Sequence, residues 1–199
     1  KVYFLKNKSE KKKKFGLPSD KTIFLFMSVS LENKRKGGNY LFEIFKDFTE
    51  PFHLLIVGDV YAETSKKMKR VFNNNYTLLP KMKNEKKLAE IYCAADATLI
   101  LSLEDNLPLT MIDSLMSGTP VIAFKNGGMK DYIVSGVNGY IVNETNAFKM
   151  KKSINQFIQN KHNFIDKKIA ENAFSMFNVK SHAEKYTDLY NDLLQKNDT

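Results

Sequence analysis

The stretch TLILSLEDNLPLTMIDSLMSGTPVIAF, residues 98–124, reads as strand, loop, helix and strand. Thr98–Leu103 is a short apolar run of strand length. Pro108–Ser117 carries apolar residues at helical spacing. It has Pro in its first turn and Gly118 just past its end, the asymmetry expected of a helix. Val121–Phe124 is a second apolar run. Two strands that are apolar throughout, with a helix between them, predict parallel neighbours covered on both faces.

The same pattern extends outward. Thr22–Ser30, His53–Val57, Tyr76–Leu79 and Gly139–Val142 read as strands. Tyr40–Phe48, Glu63–Phe72, Glu85–Ala94, a short Met129–Val134 and Ala147–Gln159 read as helices, with Asn84 placed to cap one of them. Strict alternation with right-handed crossovers predicts an α/β fold, a doubly wound, Rossmann-like parallel sheet of about six strands with helices on both faces. Phe164–Phe174 and Ser181–Gln195 follow as helices. The last carries Ala183, Tyr186, Leu189, Tyr190 and Leu193 on one stripe, which calls for a partner surface.

At 199 residues the chain has room for one domain with appendages. With 43% hydrophobic and 27% charged residues it is not a disordered chain. Its single Cys, Cys93, excludes an intrachain disulfide scaffold. Beside Ala94 and Ala95 on an apolar helix face, Cys93 is expected to pack in the core. No apolar run approaches the roughly 20 residues of a membrane span. The net charge of +9 is nearly all Lys, since Arg35 and Arg70 are the only Arg. Residues 1–20, with Lys11–Lys14, read as a solvated lead-in. A nucleic-acid site would add Arg and interleaved aromatics, so no nucleic-acid partner is expected. Peripheral contact with anionic lipid is compatible with such a surface. His53, His162 and His182 have no metal-ligand spacing and are expected on the surface or on helices. The chain begins with Lys1 and not Met, which fits a piece of a longer protein.

In an open parallel sheet, ligands sit beyond the carboxyl ends of the strands. Two of those loops stand out. LENKRKGG, residues 31–38, crowds Lys34, Arg35 and Lys36 before two glycines and a helix. Arg offers a planar fork to phosphate oxygens and Lys a point charge. Taken alone, the loop is better accounted for as a basic surface turn. In the second loop, Asp105 and Asp113 stand eight residues apart, one in the loop and one on the second helical turn. A helical rise puts them about 10 Å apart, too far for a retaining glycosidase pair at roughly 5 Å. The spacing suits two carboxylates holding the ends of a long ligand. The free N–H groups of Asn106 and Leu107, at an expected helix amino end, would hold an anion between them. A nucleotide sugar has hydroxyls at both ends and phosphate in the middle. A cap at Asp105 and an exposed charge at Asp113 explain the pair equally well.

The stretch resembles the C-terminal nucleotide-sugar-binding domain of glycosyltransferase family 4, of the GT-B fold. That family carries two Glu separated by seven residues, then a small-residue helix end and Gly-x-Pro-Val-Ile. Here the stretch runs from Asp105 to Asp113, then Ser117, Gly118, Thr119, Pro120, Val121 and Ile122. KRKGG at 34–38 is similar to the family's Lys-Gly phosphate loop, and LLIVGD at 54–59 to its second strand. LAEIYCAADATLILS at 88–102, KNGGMKDYIVSGVNGYIV at 125–142 and FSMFNVKSHAEKYTDLYNDLL at 174–194 continue the likeness in order.

The resemblance implies a retaining transferase that uses a nucleoside diphosphate sugar, needs no metal or other cofactor, and passes the sugar to a glycan or lipid-linked acceptor. Arg35 and Lys36 would stabilise the leaving diphosphate, aided by Asn106 and Leu107. Asp105 would hold sugar hydroxyls, Asp113 the ribose hydroxyls, and Met82 would meet the nucleobase. Residues 1–20 correspond to an interdomain linker, 21–177 to the donor-binding domain, and 178–199 to a closing helix that crosses to an N-terminal domain outside this sequence. The setting implied is bacterial polysaccharide biosynthesis in the cytoplasm, at the inner membrane face. Both acidic positions are Asp where the family has Glu, each a methylene shorter, and displacements near 1 Å are costly in catalysis. The alternative is therefore a degenerate, non-catalytic nucleotide-sugar-binding or scaffold domain. A sugar-nucleotide epimerase of the same fold suits the basic loop and acidic pair less well.

Overall fold

The computed structural model describes residues 7–197. Residues 1–6 of the expected linker, and the side chain of His182, lie outside the described residues. Six strands form one sheet: β1 (Thr22–Ser30), β2 (Phe52–Asp59), β3 (Tyr76–Leu79), β4 (Ala97–Ile100), β5 (Val121–Phe124) and β6 (Gly139–Val142). All neighbours are parallel, in the order β3-β2-β1-β4-β5-β6. The helices are α1 (Lys8–Lys14), α2 (Gly38–Phe45), α3 (Ala62–Phe72), α4 (Glu85–Ala94), α5 (Leu109–Met116), α6 (Ala147–Asn160), α7 (Asp166–Phe177) and α8 (Val179–Asn197). The doubly wound sheet read from the sequence is the one that forms. The expected helix at Met129–Val134 is instead a 3-10 turn over Gly127–Asp131. The helix expected at Tyr40 starts at Gly38 and ends at Phe45, just before Asp47 turns the chain at φ +55°.

The central strands are covered on both faces, and their side chains alternate between two cores. Phe24 and Phe26 of β1, with Leu54 and Ile56 of β2, pack with Leu41 and Phe45 of α2, Phe72 of α3 and Phe157 of α6. Ile23, Leu25, Leu55 and Val57 face the other way, onto Leu17 and onto Ile91 and Tyr92 of α4. Each such burial stabilises by about 1.5–3 kcal/mol, so a polar residue on either face would be costly. That is why these strands read as unbroken apolar runs. Aromatic rings fill the first core, with Phe42 stacked on Phe72 at 5.0 Å and Phe24 against Phe45 at 5.9 Å.

The lysine-rich lead-in departs from the solvated reading, because two buried carboxylates hold it. Lys12 Nζ lies 2.8 Å from Asp96, and Lys14 Nζ lies 2.6 Å from Glu90. Asp96 also accepts from the Ile23 amide at 2.8 Å, and Lys161 approaches it at 3.4 Å. Burial works to raise the Asp96 pKa, but Lys12, Lys8 and the Ile23 amide outweigh it and hold the carboxyl below its ordinary range. A buried carboxylate needs such partners. The excess of Lys in α1 is in part the counter-charge for Asp96 and Glu90.

At the other end, α8 leaves its stripe bare. Tyr186, Leu189, Tyr190 and Leu193 are each 50–60% exposed. No described helix is long and apolar enough to cross a membrane.

Two of the smaller expectations divide. Cys93 is buried in the core as expected, its thiol near the Ser117 carbonyl. His53, expected on the surface or on a helix, is instead buried on β2, where Nε2 lies 2.9 Å from the Thr77 hydroxyl of β3. The sheet edge covers the ring, a fact that a lone His in a sequence does not reveal. Burial, with a smaller push from the Lys21 ammonium, lowers its pKa from 6.5 to about 4. The unfolded chain therefore takes up a proton first, so stability is full above pH 6.5 and falls as pH drops toward 4. Urea titrations at stepped pH should show a loss of about 2–3 kcal/mol across that window. His53→Gln should flatten the slope between pH 6.5 and 5, and an unchanged slope would assign it elsewhere.

Candidate functional site

The strand order reverses between β1 and β4, so the loops that leave these strands lie side by side. The loop after β1 winds into a 3-10 turn over Lys34–Lys36 and then enters α2. The loop after β4 runs to α5. Their backbones meet, since the Leu103 amide donates to the Arg35 carbonyl at 2.8 Å. Gly37 makes the approach possible, and Gly38 lets the first loop close on itself. A Cβ on Gly37 would stand 1.9 Å from the Leu101 oxygen, and one on Gly38 would stand 2.1 Å from the Leu31 oxygen. Gly37 also sits at φ +71°, where a side chain is strained. Both glycines are thus pressed against backbone of the protein itself.

This contact brings the two sets of candidate residues together. Lys36 Nζ pairs with Asp105 Oδ2 at 2.6 Å, and the pair is mostly covered, with side chains 24% and 14% exposed. Arg35 lies 4.0 Å from the same oxygen and donates to the Glu104 carbonyl at 3.0 Å. The Arg35 side chain stays half-exposed, whereas Lys36 is mostly covered. Behind them the loop after β5 acts as a buttress. The Asn126 side chain donates to the Ser102 carbonyl, and the Gly128 amide to the Asn106 carbonyl at 2.7 Å. Gly127 presses so close that a Cβ would meet the Asp105 oxygen at 2.2 Å.

Helix α5 starts later than its sequence suggested. Pro108 takes φ −68° and ψ 128°, an extended cap, and the first helical residue is Leu109. The amides without an acceptor inside the helix are therefore those of Leu109 and Thr110, not those of Asn106 and Leu107. The physical reason is that Pro108 fixes φ but not ψ. The Asn106 carbonyl accepts from the Gly128 amide of the buttress. Asp113 stands in the second turn of α5, half-buried, three residues after Thr110 and so on its side of the helix.

A groove of about 240 Å³ opens beside the ion pair. Lys36 and Thr110 line it, with Met27 and Val57 from the sheet and Lys81 and Met82 from the loop after β3. The structure thus gathers Lys36, Asp105, Arg35 and Met82 along one edge. Thr110, Lys81 and Asn126 were not singled out from sequence. Thr110 was legible as the second residue of α5 once the helix start was placed, whereas Lys81 was one Lys among many. Among the described residues no three His, Cys, Asp or Glu side chains gather as a metal site.

Glu32 is a further missed residue. Its carboxylate accepts from the Ser30 hydroxyl and from the Tyr61 amide at 2.9 Å. Burial works against ionisation, but bonds from Ser30, Tyr61 and Thr64 prevail and hold its pKa below the ordinary range.

Comparison with known proteins finds the same fold. N-acetyl-alpha-D-glucosaminyl L-malate synthase of Bacillus anthracis is 22% identical over 199 residues, covering 98% of this chain and 51% of that protein. Among solved structures, sucrose-phosphate synthase of Thermosynechococcus elongatus superposes with a TM-score of 0.79 at 21% identity, over 98% of this chain and 50% of that one. Anabaena HepE in complex with UDP gives 0.81 at 18% identity, over 96% of this chain and 54% of that one. The chain spans about half the length of these relatives. The model of the glycosyl transferases group 1 family matches residues 7–176, from the start of α1 to the end of α7. With its sheet, its switch-point loops and all but its last helix inside that match, the chain belongs to the glycosyl transferases group 1 family.

Proposed function

We propose that the chain is the donor-binding domain of a family 4, retaining glycosyltransferase that draws a sugar from a nucleoside diphosphate sugar. The observation that carries this reading is the convergence of Arg35, Lys36 and Asp105 at the switch point, next to the amino end of α5 and a groove that Lys36, Thr110 and Met82 line. UDP bound to a structural neighbour of the same fold supports it. In this reading the diphosphate lies against Arg35, Lys36 and the amides of Leu109 and Thr110, which stabilise the charge that develops as the bond to the sugar breaks. Cations and amides supply that charge stabilisation without a metal or another cofactor. Asp105 turns to sugar hydroxyls, Asp113 to the ribose, and Met82 to the base. The glycan or lipid-linked acceptor meets a second domain, and the bare stripe of α8 is the surface we assign to that domain. We place the activity in the cytoplasm, in polysaccharide assembly at the inner face of a membrane.

The direct test is a thermal-shift screen of UDP, ADP and GDP with their sugars. A ligand at 100 times its Kd adds about 2.7 kcal/mol, which a melting curve resolves. A flat response to all of them would sink the donor reading.

Two mutational outcomes follow from the geometry. Arg35→Ala and Lys36→Ala should each weaken the best nucleoside diphosphate by about 1–3 kcal/mol and leave the free nucleoside nearly untouched. Lys36→Ala should be the worse of the two, because it also leaves Asp105 facing the phosphate. Calorimetry that found equal losses for nucleoside and diphosphate would refute the phosphate assignment.

The acidic pair should behave asymmetrically. Asp105 stands where an anion would stand beside Lys36. Asp105→Asn frees Lys36 and should tighten the plain diphosphate by roughly 3–10-fold, while erasing the added affinity due to the sugar. Asp113→Asn should weaken every nucleotide alike, since all carry ribose. Weaker diphosphate binding in Asp105→Asn would mean that Asp105 holds the loop and not the sugar.

A further inference from the structure

The turn that carries Lys34, Arg35 and Lys36 is held from two sides. On the β4 side the holding contacts are those of the site itself, Leu103 with Arg35 and Asp105 with Lys36. On the β2 side the Leu31 amide donates to the Asp59 carbonyl at 3.0 Å, and beyond it the carboxylate of Glu32 makes the connection. One oxygen of Glu32 accepts from the Tyr61 amide, at the cap of α3, where no side chain of that helix caps its own end. The other oxygen accepts from the Ser30 hydroxyl, and the same hydroxyl accepts from the Glu32 amide at 3.3 Å. Ser30 pairs with Asp59 just beyond a register shift in the β1–β2 ladder. From Ser30 the bonds run on without a gap. The Asn33 amide donates to the Ser30 carbonyl at 3.2 Å, and the Lys36 amide to the Asn33 carbonyl at 3.0 Å.

We propose that Glu32 is a positioning residue for the anion-binding turn: it ties the amino end of α3 to Ser30, and through Ser30 and Asn33 it sets where the backbone of Lys36 stands. This rests on the donor reading above, in which Lys36 meets the diphosphate. Charge alone argues against a carboxylate four residues from Lys36, since it opposes an incoming anion. The carboxylate is fixed instead at a helix amino end, which favours negative charge and supplies a rigid anchor. Its cost in repulsion is offset by holding three cations in one arrangement before the ligand arrives.

Two substitutions in the full chain separate position from charge. Glu32→Ala removes the link and the charge. Glu32→Gln removes the charge but still offers an oxygen to Tyr61 and a polar group to Ser30. The readouts are calorimetric Kd values for pyrophosphate and UDP, and amide hydrogen exchange at Asn33, Lys36 and Gly37. Glu32→Ala should bind both ligands about 5–10-fold more weakly and exchange those amides at least about 10-fold faster than β1 or α2 changes. Glu32→Gln should bind as tightly as the unaltered protein or more tightly. If both variants tighten binding, Glu32 acts through its charge alone and the proposal is overturned. If Glu32→Ala lowers stability but leaves binding and local exchange unchanged, Glu32 only caps α3 and the proposal is likewise overturned. Should Glu32→Ala not fold, Ser30→Ala cuts the same link from its other end and should weaken binding in the same direction. An unaltered protein that binds neither pyrophosphate nor UDP removes the donor reading itself. The exchange measurement then still decides whether Glu32 holds the turn.

Discussion

The pairing of β1 with β4 is the contact on which the rest of the molecule depends. Phe24, Leu25 and Phe26 align with Ala97, Thr98 and Leu99, and nearly all of these side chains are fully buried. A parallel pair buried on both faces cannot be joined by a tight turn, so the chain must leave and return over a face of the sheet. It does so three times between β1 and β4, over α2, α3 and α4 by way of β2 and β3, and then winds outward the other way through β5 and β6. The loops after β1 and β4 therefore leave adjacent strands toward opposite sides and open a crevice between them. Everything chemical in this chain is placed by that crevice.

Charge is arranged differently at the two ends of the sheet. Near the amino ends of β1 and β4, Asp96 and Glu90 are buried carboxylates answered by Lys8, Lys12, Lys14 and Lys161, and the arrangement is closed. At the carboxyl ends, one Asp faces Lys36 and Arg35, and Arg35 remains half in solvent. The first arrangement spends its lysines on structure, since removing one partner of a buried pair strands the other. The second leaves cationic capacity unspent beside a groove. A net charge of +9 therefore says little until each lysine is assigned.

Much of this was legible along the chain. Four of the six strands were read with the bounds they have in the structure, among them Thr22–Ser30 and Val121–Phe124, because a strand buried on both faces must be apolar at every position. α4 was likewise read in full, with Asn84 accepting from the Lys87 amide at its start. Other elements depended on their surroundings. The start of α5 turned on the ψ of Pro108, which no residue type dictates. The burial of His53 needed β3 beside it, and the docking of α1 needed Asp96, 84 residues on from Lys12. Glu32 carried no motif, and its role lies in the contact of two loops that are distant in sequence.

The sequence by itself determined the order of elements, the two-faced burial of the sheet, and the presence of basic and acidic loops at the carboxyl ends of strands. These follow from local spacing and from the cost of burying polar groups, which act on each segment separately. Only the tertiary structure decided that Lys36 meets Asp105, that Arg35 stays half-exposed beside them, and that Glu32 anchors the turn that bears them. Those are contacts between segments separated by roughly 30 to 70 residues, and distances of 2.6–4.0 Å across such separations are set by strand order and loop packing.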